Sequence, residues 1–175
     1  MEQNREVDYS EGYKVNLHDE IIYVDAEKVT RELMEYIEEY EDIDDVFFTK
    51  KVKEFCDGAF KGMNMGRVHL FTATEVETIG RSCFERAYNI DGRRCFSKVT
   101  NIGEGAFRSS LFVAGLDMPI AREIPAECFK DAILPYLNIE NASSIHPTAF
   151  DGVIIKDKEN STLGDAKIDV SEVVS

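Results

Sequence analysis

Seven carboxylates crowd the stretch from residue 35 to residue 45: Glu35, Glu38, Glu39, Glu41, Asp42, Asp44 and Asp45. Side chains of this type at this spacing have two chemistries open to them. They can supply oxygen ligands to a hard cation, or they can dock a basic surface electrostatically. Calcium is the weaker reading, because no D-x-D-x-D-G loop with a distal glutamate is present. A solvated face that keeps a chain end soluble is the plain alternative to docking. The acids fall near the end of an expected helix, however, where the helix dipole prefers cations. A chain that accepts that cost is a candidate for using the charge.

Other reactive groups are sparse and scattered. Cys56, Cys83, Cys95 and Cys128 form no C-x-x-C, and His18, His69 and His146 stand singly, so no metal-ligand spacing emerges. Gly103 and Gly105 suggest a phosphate cradle, but Arg108 stands where G-x-G-x-x-G needs its third glycine. There is no P-loop, no G-x-S-x-G and no H-E-x-x-H. The expectation is a chain without enzymatic activity and without a cofactor.

Charge is distributed unevenly. Residues 1–51 carry 16 acidic and 6 basic side chains, whereas residues 52–152 carry 13 and 11. Direct nucleic-acid binding by the first segment is disfavoured, because phosphate contacts need Lys and Arg. No apolar run approaches the ~20 residues that cross a bilayer. The polar start MEQNREVDYS lacks the basic and apolar parts of a signal peptide, so a cytoplasmic protein with free thiols is expected. A local excess of cations at Arg81, Arg86, Arg93, Arg94 and Lys98 could pair with the acidic segment or stand as a solvated face.

The elements that position these groups come from a repeat. VKEFCDGAF (52–60), VETIGRSCF (76–84), VTNIGEGAF (99–107), AREIPAECF (121–129) and ASSIHPTAF (142–150) share one pattern. Their closing phenylalanines, Phe60, Phe84, Phe107, Phe129 and Phe150, are 24, 23, 22 and 21 residues apart. A period of this length predicts a solenoid in which equivalent residues stack between coils. The Ile and Phe positions then form apolar columns. Ala59, Cys83, Ala106, Cys128 and Ala149 form a column for small side chains, which gives Cys83 and Cys128 a packing role. Gly80, Gly103, Cys56, Pro125 and His146 mark a corner where glycine is suitable but not required. RVHLF (67–71) and YLNIE (136–140) alternate as strands, predicting a narrow parallel sheet. YNIDGRRCF, after Phe84, does not align cleanly as a strand.

These motifs resemble the BspA-type leucine-rich repeat, whose coils read roughly I-G-x-x-A-F followed by a leucine-containing strand. The resemblance covers about residues 52–152 and implies an α+β repeat solenoid of about five coils. It also implies a non-enzymatic binding protein, since members of that family are generally binding proteins and many are surface adhesins. Residues 1–51 are expected to form an acidic N-terminal cap. Its strand runs over LHDEIIYVD (17–25), and Asp25 caps an amphipathic helix over 26–40 with a stripe of Val29, Leu33, Ile37 and Tyr40. Residues 153–175 are expected to be a loop followed by a weak strand over 166–174. The function expected is docking of a protein with a basic groove, as by a phage-type inhibitor or nucleic-acid mimic. The repeat domain of an exported adhesin and a self-assembling structural protein are the alternatives.

Overall fold

The computed structural model describes residues 13–16 and 19–166. Its architecture follows from the motif. In each copy the Ile or Phe position and the residue before it form a two-residue strand, paired in parallel with the equivalent residues one coil away. Strands β3 (Lys28–Val29), β5 (Glu54–Phe55), β6 (Thr78–Ile79) and β8 (Asn101–Ile102) make one such row. It is continued by β10 (Glu123–Ile124) and β13 (Ser144–Ile145). The parallel pairing expected is therefore present, and it recurs along a second row of the coils. There β2 (Ile21–Val24) pairs with β4 (Asp45–Phe48), while β7 (Tyr88–Gly92), β9 (Leu111–Asp117), β11 (Ile133–Leu134) and β14 (Ile154–Ile155) follow in order. Strand β12 (Leu137–Asn138) joins β9, and β1 (Tyr13–Asn16) lies antiparallel against β2.

The core lies between the rows, where the columns stack as the period requires. Phe60, Phe84, Phe107 and Phe129 are each fully buried. Successive rings from Phe60 to Phe150 are nearly parallel, with centroids 4.9–5.4 Å apart. The small column from Ala59 to Ala149 is likewise fully buried. One coil's rings are the floor of the next, so stability is shared between neighbours rather than held at one centre.

Turning the chain within ~22 residues needs backbone conformations that the motif's residue types conceal. Gly62, Arg86, Ser109, Asp131 and Gly152 hold equivalent corners, and all have φ between 54° and 74°. A left-handed residue costs about 1–2 kcal/mol unless it is glycine, and three of these five corners bear that cost. Cys56, Pro125 and His146 hold this corner without glycine, as expected, but the corners at Gly80 and Gly103 leave no room for a side chain. A Cβ on Gly80 would lie 2.5 Å from Asp57 N, and one on Gly103 would lie 2.3 Å from Arg81 N. The coils approach backbone to backbone there.

The front of the chain differs from expectation in its helix. Helix α1 spans Arg31–Glu38 and is capped by Thr30, whose Oγ1 accepts from Leu33 N at 3.2 Å. Asp25 is not the cap: it accepts from Thr49 Oγ1 at 2.6 Å and pairs with Lys51. The reason is that Lys28 and Val29 are drawn into the strand row beside Glu54 and Phe55, which delays the helix until residue 31. The stripe does face the core, through Val29, Met34 and Ile37 with Leu33 and Tyr40 at its edges.

RVHLF is not a strand either. Only Val68 bridges to Val46, and Leu70–Thr72 then form a 3-10 turn. Thr72 Oγ1 fixes that turn, donating to His69 O at 2.8 Å and accepting from Phe48 N at 2.9 Å. YLNIE is a strand at Leu137–Asn138. The irregular segment after Phe84 is strand β7, with two register shifts against β9. The strand expected over 166–174 lies outside the described residues apart from Ala166.

Candidate docking surfaces

The outward side of the front coils carries aromatic rings where the alternation would allow polar ones. In β2 and β4, Ile22, Val24, Val46 and Phe48 point inward and are buried, so Tyr23 and Phe47 point out. Tyr23 stacks on Phe47 (5.8 Å, 25°), Phe47 on His69 (4.5 Å, 14°), and Phe71 meets His69 edge-on at 5.5 Å. Tyr23 is 39% and Phe71 58% exposed, so neither is explained by the core. His69 is held against this row by Asp45, which contacts its Nε2.

The acidic segment leads into this row at Asp45, the first residue of β4, whose carboxylate contacts His69. Glu38, Glu39, Glu41, Asp42 and Asp44 are exposed and make no ion pair among the described residues. Asp45 is partly buried and committed to His69, and Glu35 pairs with Arg31 at 2.7 Å. Of the seven carboxylates singled out, five are thus available and two are structural. The N–H groups of Asp44 and Asp45 both donate to Glu20 O, at 2.9 and 3.3 Å, which pins the segment beside β2.

Sequence reasoning missed the group that stabilises this arrangement. The Arg67 guanidinium donates to the carbonyls of Tyr40 (3.1 Å), Ile43 (3.0 Å) and Ile37 (3.4 Å). The Ile37 carbonyl lies in the last turn of α1, where it also accepts from Tyr40 N at 3.2 Å, and that turn has no basic residue of its own. A cation 24–30 residues away therefore offsets the helix dipole and the acids around it. Nothing in the local spacing of RVHLF signals this role.

The basic group identified around residues 81–98 does not meet the acidic segment. Arg81 pairs with Asp57 at 3.1 Å, Arg93 with Asp91 at 2.7 Å and Lys98 with Glu75 at 2.7 Å. Arg86 and Arg94 are exposed. A separate ladder of ion pairs runs along the coils through Lys61, Glu85, Arg108 and Lys130, each one residue after a stacked ring, with Glu127 between the last two. Buried Glu85 binds Arg108 (2.7 Å) and Lys61 (2.9 Å), and Arg108 continues to Glu127 (2.8 Å), which binds Lys130 (2.9 Å). Burial alone would raise the Glu85 carboxyl, but Arg108, Lys61 and Ser82 hold it down at about 2. Farther along, Tyr88, Leu111, Ile133 and Ile154 fall in one register across four coils. Three of them, with Val113 beside Leu111, are more than two-fifths exposed.

Three of the four cysteines are set into the core. Cys83, Cys95 and Cys128 are buried, and burial pushes all three thiols up, Cys95 to about 12. A thiol held protonated is a poor nucleophile and a poor metal ligand. No group of three or more His, Cys, Asp or Glu side chains is arranged to hold a metal ion among the described residues. No helix among them is long and apolar enough to cross a membrane.

Short parallel strands and ring columns that recur once per coil define a repeat scaffold. The family model for the BspA type leucine rich repeat region matches residues 33–156 in six copies, and the chain belongs to that family. The match holds six copies where five motifs are read in the sequence, and it begins at residue 33, ahead of the first of them. Proteins of this family are generally non-enzymatic repeat modules of the protein-interaction or adhesin type. No curated protein and no solved structure matches the chain.

Proposed function

We propose that this protein is a non-catalytic docking module whose acid-bordered aromatic row binds a basic protein partner. The observation that carries the reading is the outward stack of Tyr23, Phe47, His69 and Phe71, joined through Asp45 to a segment whose Glu38, Glu39, Glu41, Asp42 and Asp44 have no cationic partner among the described residues. Aromatic faces attract Lys and Arg through the ring quadrupole, and neighbouring carboxylates add charge to the same contact. Basic grooves belong chiefly to nucleic-acid-binding proteins, and closely spaced carboxylates can imitate a phosphate backbone. The partner class is therefore a nucleic-acid-handling protein, which the module would block in the manner of a phage-type inhibitor. A cytoplasmic location accords with such a target.

The test is affinity capture from nuclease-treated lysate at low and high salt, using the native chain and a variant with the five free acids changed to Lys. A basic partner retained at low salt, released at high salt and lost with the variant supports the proposal. Equal capture by both chains sinks it. The apolar register of Tyr88, Leu111 and Ile154 favours a second reading, an adhesin-type face for an apolar ligand. Binding that survives high salt and the charge reversal but is lost on Leu111→Lys would favour that one.

A further inference from the structure

The two strand rows present outward columns of different character. In the first row the outward position is held by Lys28, Glu54, Thr78, Asn101, Glu123 and Ser144, all polar, as a solvated face requires. In the second row one register runs through Asn64, Tyr88, Leu111, Ile133 and Ile154, one residue per coil. After Asn64 every member is apolar. Tyr88, Leu111 and Ile154, with Val113 beside Leu111, are all well exposed. Together they leave roughly 300 Å² of apolar side chain in solvent, a patch size that marks an interaction face.

The columns that flank this register identify what covers it. Two residues before it stand the corners Gly62, Arg86, Ser109, Asp131 and Gly152. Three residues before it stand Lys61, Glu85, Arg108, Lys130 and Asp151. Each column is its own complement when reversed about its middle member. Arg86 lies one coil before Ser109 and Asp131 one coil after it, with a glycine at either end. About Arg108, Glu85 mirrors Lys130 and Lys61 mirrors Asp151. Arg86, Asp131 and Asp151 are exposed and form no ion pair among the described residues. A face that complements itself about one coil is the requirement of an isologous twofold contact.

We infer that this apolar register is the interface of a homodimer, packed face to face with antiparallel solenoid axes about a twofold through the coil of β9. Leu111 then meets the partner's Leu111, Tyr88 meets the partner's Ile133, and Arg86 meets the partner's Asp131. Arg108 stands near the twofold in both copies, but each guanidinium is already neutralised by Glu85 (2.7 Å) and Glu127 (2.8 Å). The net charge of −14 opposes association of two copies. Residues 52–152, which supply this face, nevertheless carry 13 acidic and 11 basic side chains, and antiparallel packing sends the two acidic front segments apart. The apolar patch is small beside the ~800 Å² per partner of a standard interface, so the dimer belongs to the micromolar range. The aromatic row lies on the coils ahead of Tyr88, so the inference does not depend on what docks there.

Sedimentation velocity of the full chain from about 1 µM to about 200 µM tests this, because a weak dimer must respond to protomer concentration. The native chain should pass from monomer to dimer across that range. Leu111→Lys, which buries a charge at the centre of the contact, should weaken the dimer at least about tenfold. Arg86→Asp and Asp131→Arg should each weaken it about tenfold, and the double exchange R86D/D131R should return it to within about threefold of native. These residues are exposed in the monomer, and unchanged circular dichroism confirms that each variant folds. A monomer at every concentration would overturn the inference. A dimer indifferent to Leu111→Lys would overturn it by placing the contact elsewhere, and a double exchange as weak as the single ones would refute the antiparallel register.

Discussion

Removing the Glu85 carboxylate should cost stability in a pH-dependent way that the ladder geometry fixes. The side chain is 5% exposed and lies between Arg108 Nη2 at 2.7 Å and Lys61 Nζ at 2.9 Å. Its carboxyl is held at about 2, against an ordinary value of 4.5. A depression of that size corresponds to about 3 kcal/mol favouring the folded state when the group is ionised. Because the folded value is the lower one, this stabilisation is complete above the unfolded value of 4.5. It is lost as pH falls from there toward about 2. Glu85→Gln keeps the shape and removes the charge. Arg108 retains Glu127 at 2.8 Å, and Lys61 is half exposed, so neither cation is left buried without a partner. The variant should therefore lose about 3 kcal/mol at neutral pH, or ~6–12 °C in Tm, and little near the acid end of the range. Urea unfolding of both chains across that range measures the difference directly. A penalty of the same size at neutral and acidic pH would refute the reasoning, because it would make the loss one of packing rather than of ionisation.

Other substitutions probe other parts of the architecture. Gly103→Ala places a Cβ 2.3 Å from the backbone of Arg81, which cannot yield, whereas Gly58→Ala meets open space but keeps φ at 65°. Gly58→Ala should cost about 1 kcal/mol and Gly103→Ala at least ~3 kcal/mol, read from chemical denaturation, and the reverse order would contradict the stacking described. Arg67→Ala should cost about 2–3 kcal/mol and speed exchange of the amides from residue 37 to 45. Arg67→Lys should not restore them, since an ammonium lacks the planar fork that reaches three carbonyls; unchanged exchange in Arg67→Ala would mean the clamp is idle.

What could be read in advance depended on whether a structural demand repeats. The columns were legible because Phe60 to Phe150 recur once per coil as the same residue, and Ala59 to Ala149 as a small one, Ala or Cys. The left-handed corners were not, since Gly62, Arg86, Ser109, Asp131 and Gly152 share a conformation without sharing chemistry. The helix start was misplaced for a related reason. Asp25 is a good cap by local rules, yet pairing of Lys28 and Val29 with a coil 26 residues away overrides it. In the proposed docking surface, the acids were visible as a run. Their division into free and committed groups was not, because Asp45 is engaged by His69 and the helix end by Arg67, both distant in sequence. The aromatic row was hidden too. Tyr23, Phe47 and His69 come from three coils, and only the register brings their rings together.

The central claim is that partners dock on the front aromatic row beside the acids. Site-specific photo-crosslinking at Phe71 and at Val113 tests it most directly, since the two are 58% and 61% exposed and lie in different coils. The account predicts that a basic partner cross-links at Phe71 at low salt, not at high salt, and not at Val113. Cross-linking at Val113 alone, insensitive to salt, would contradict it and move the binding face to the apolar register of Tyr88, Leu111 and Ile154.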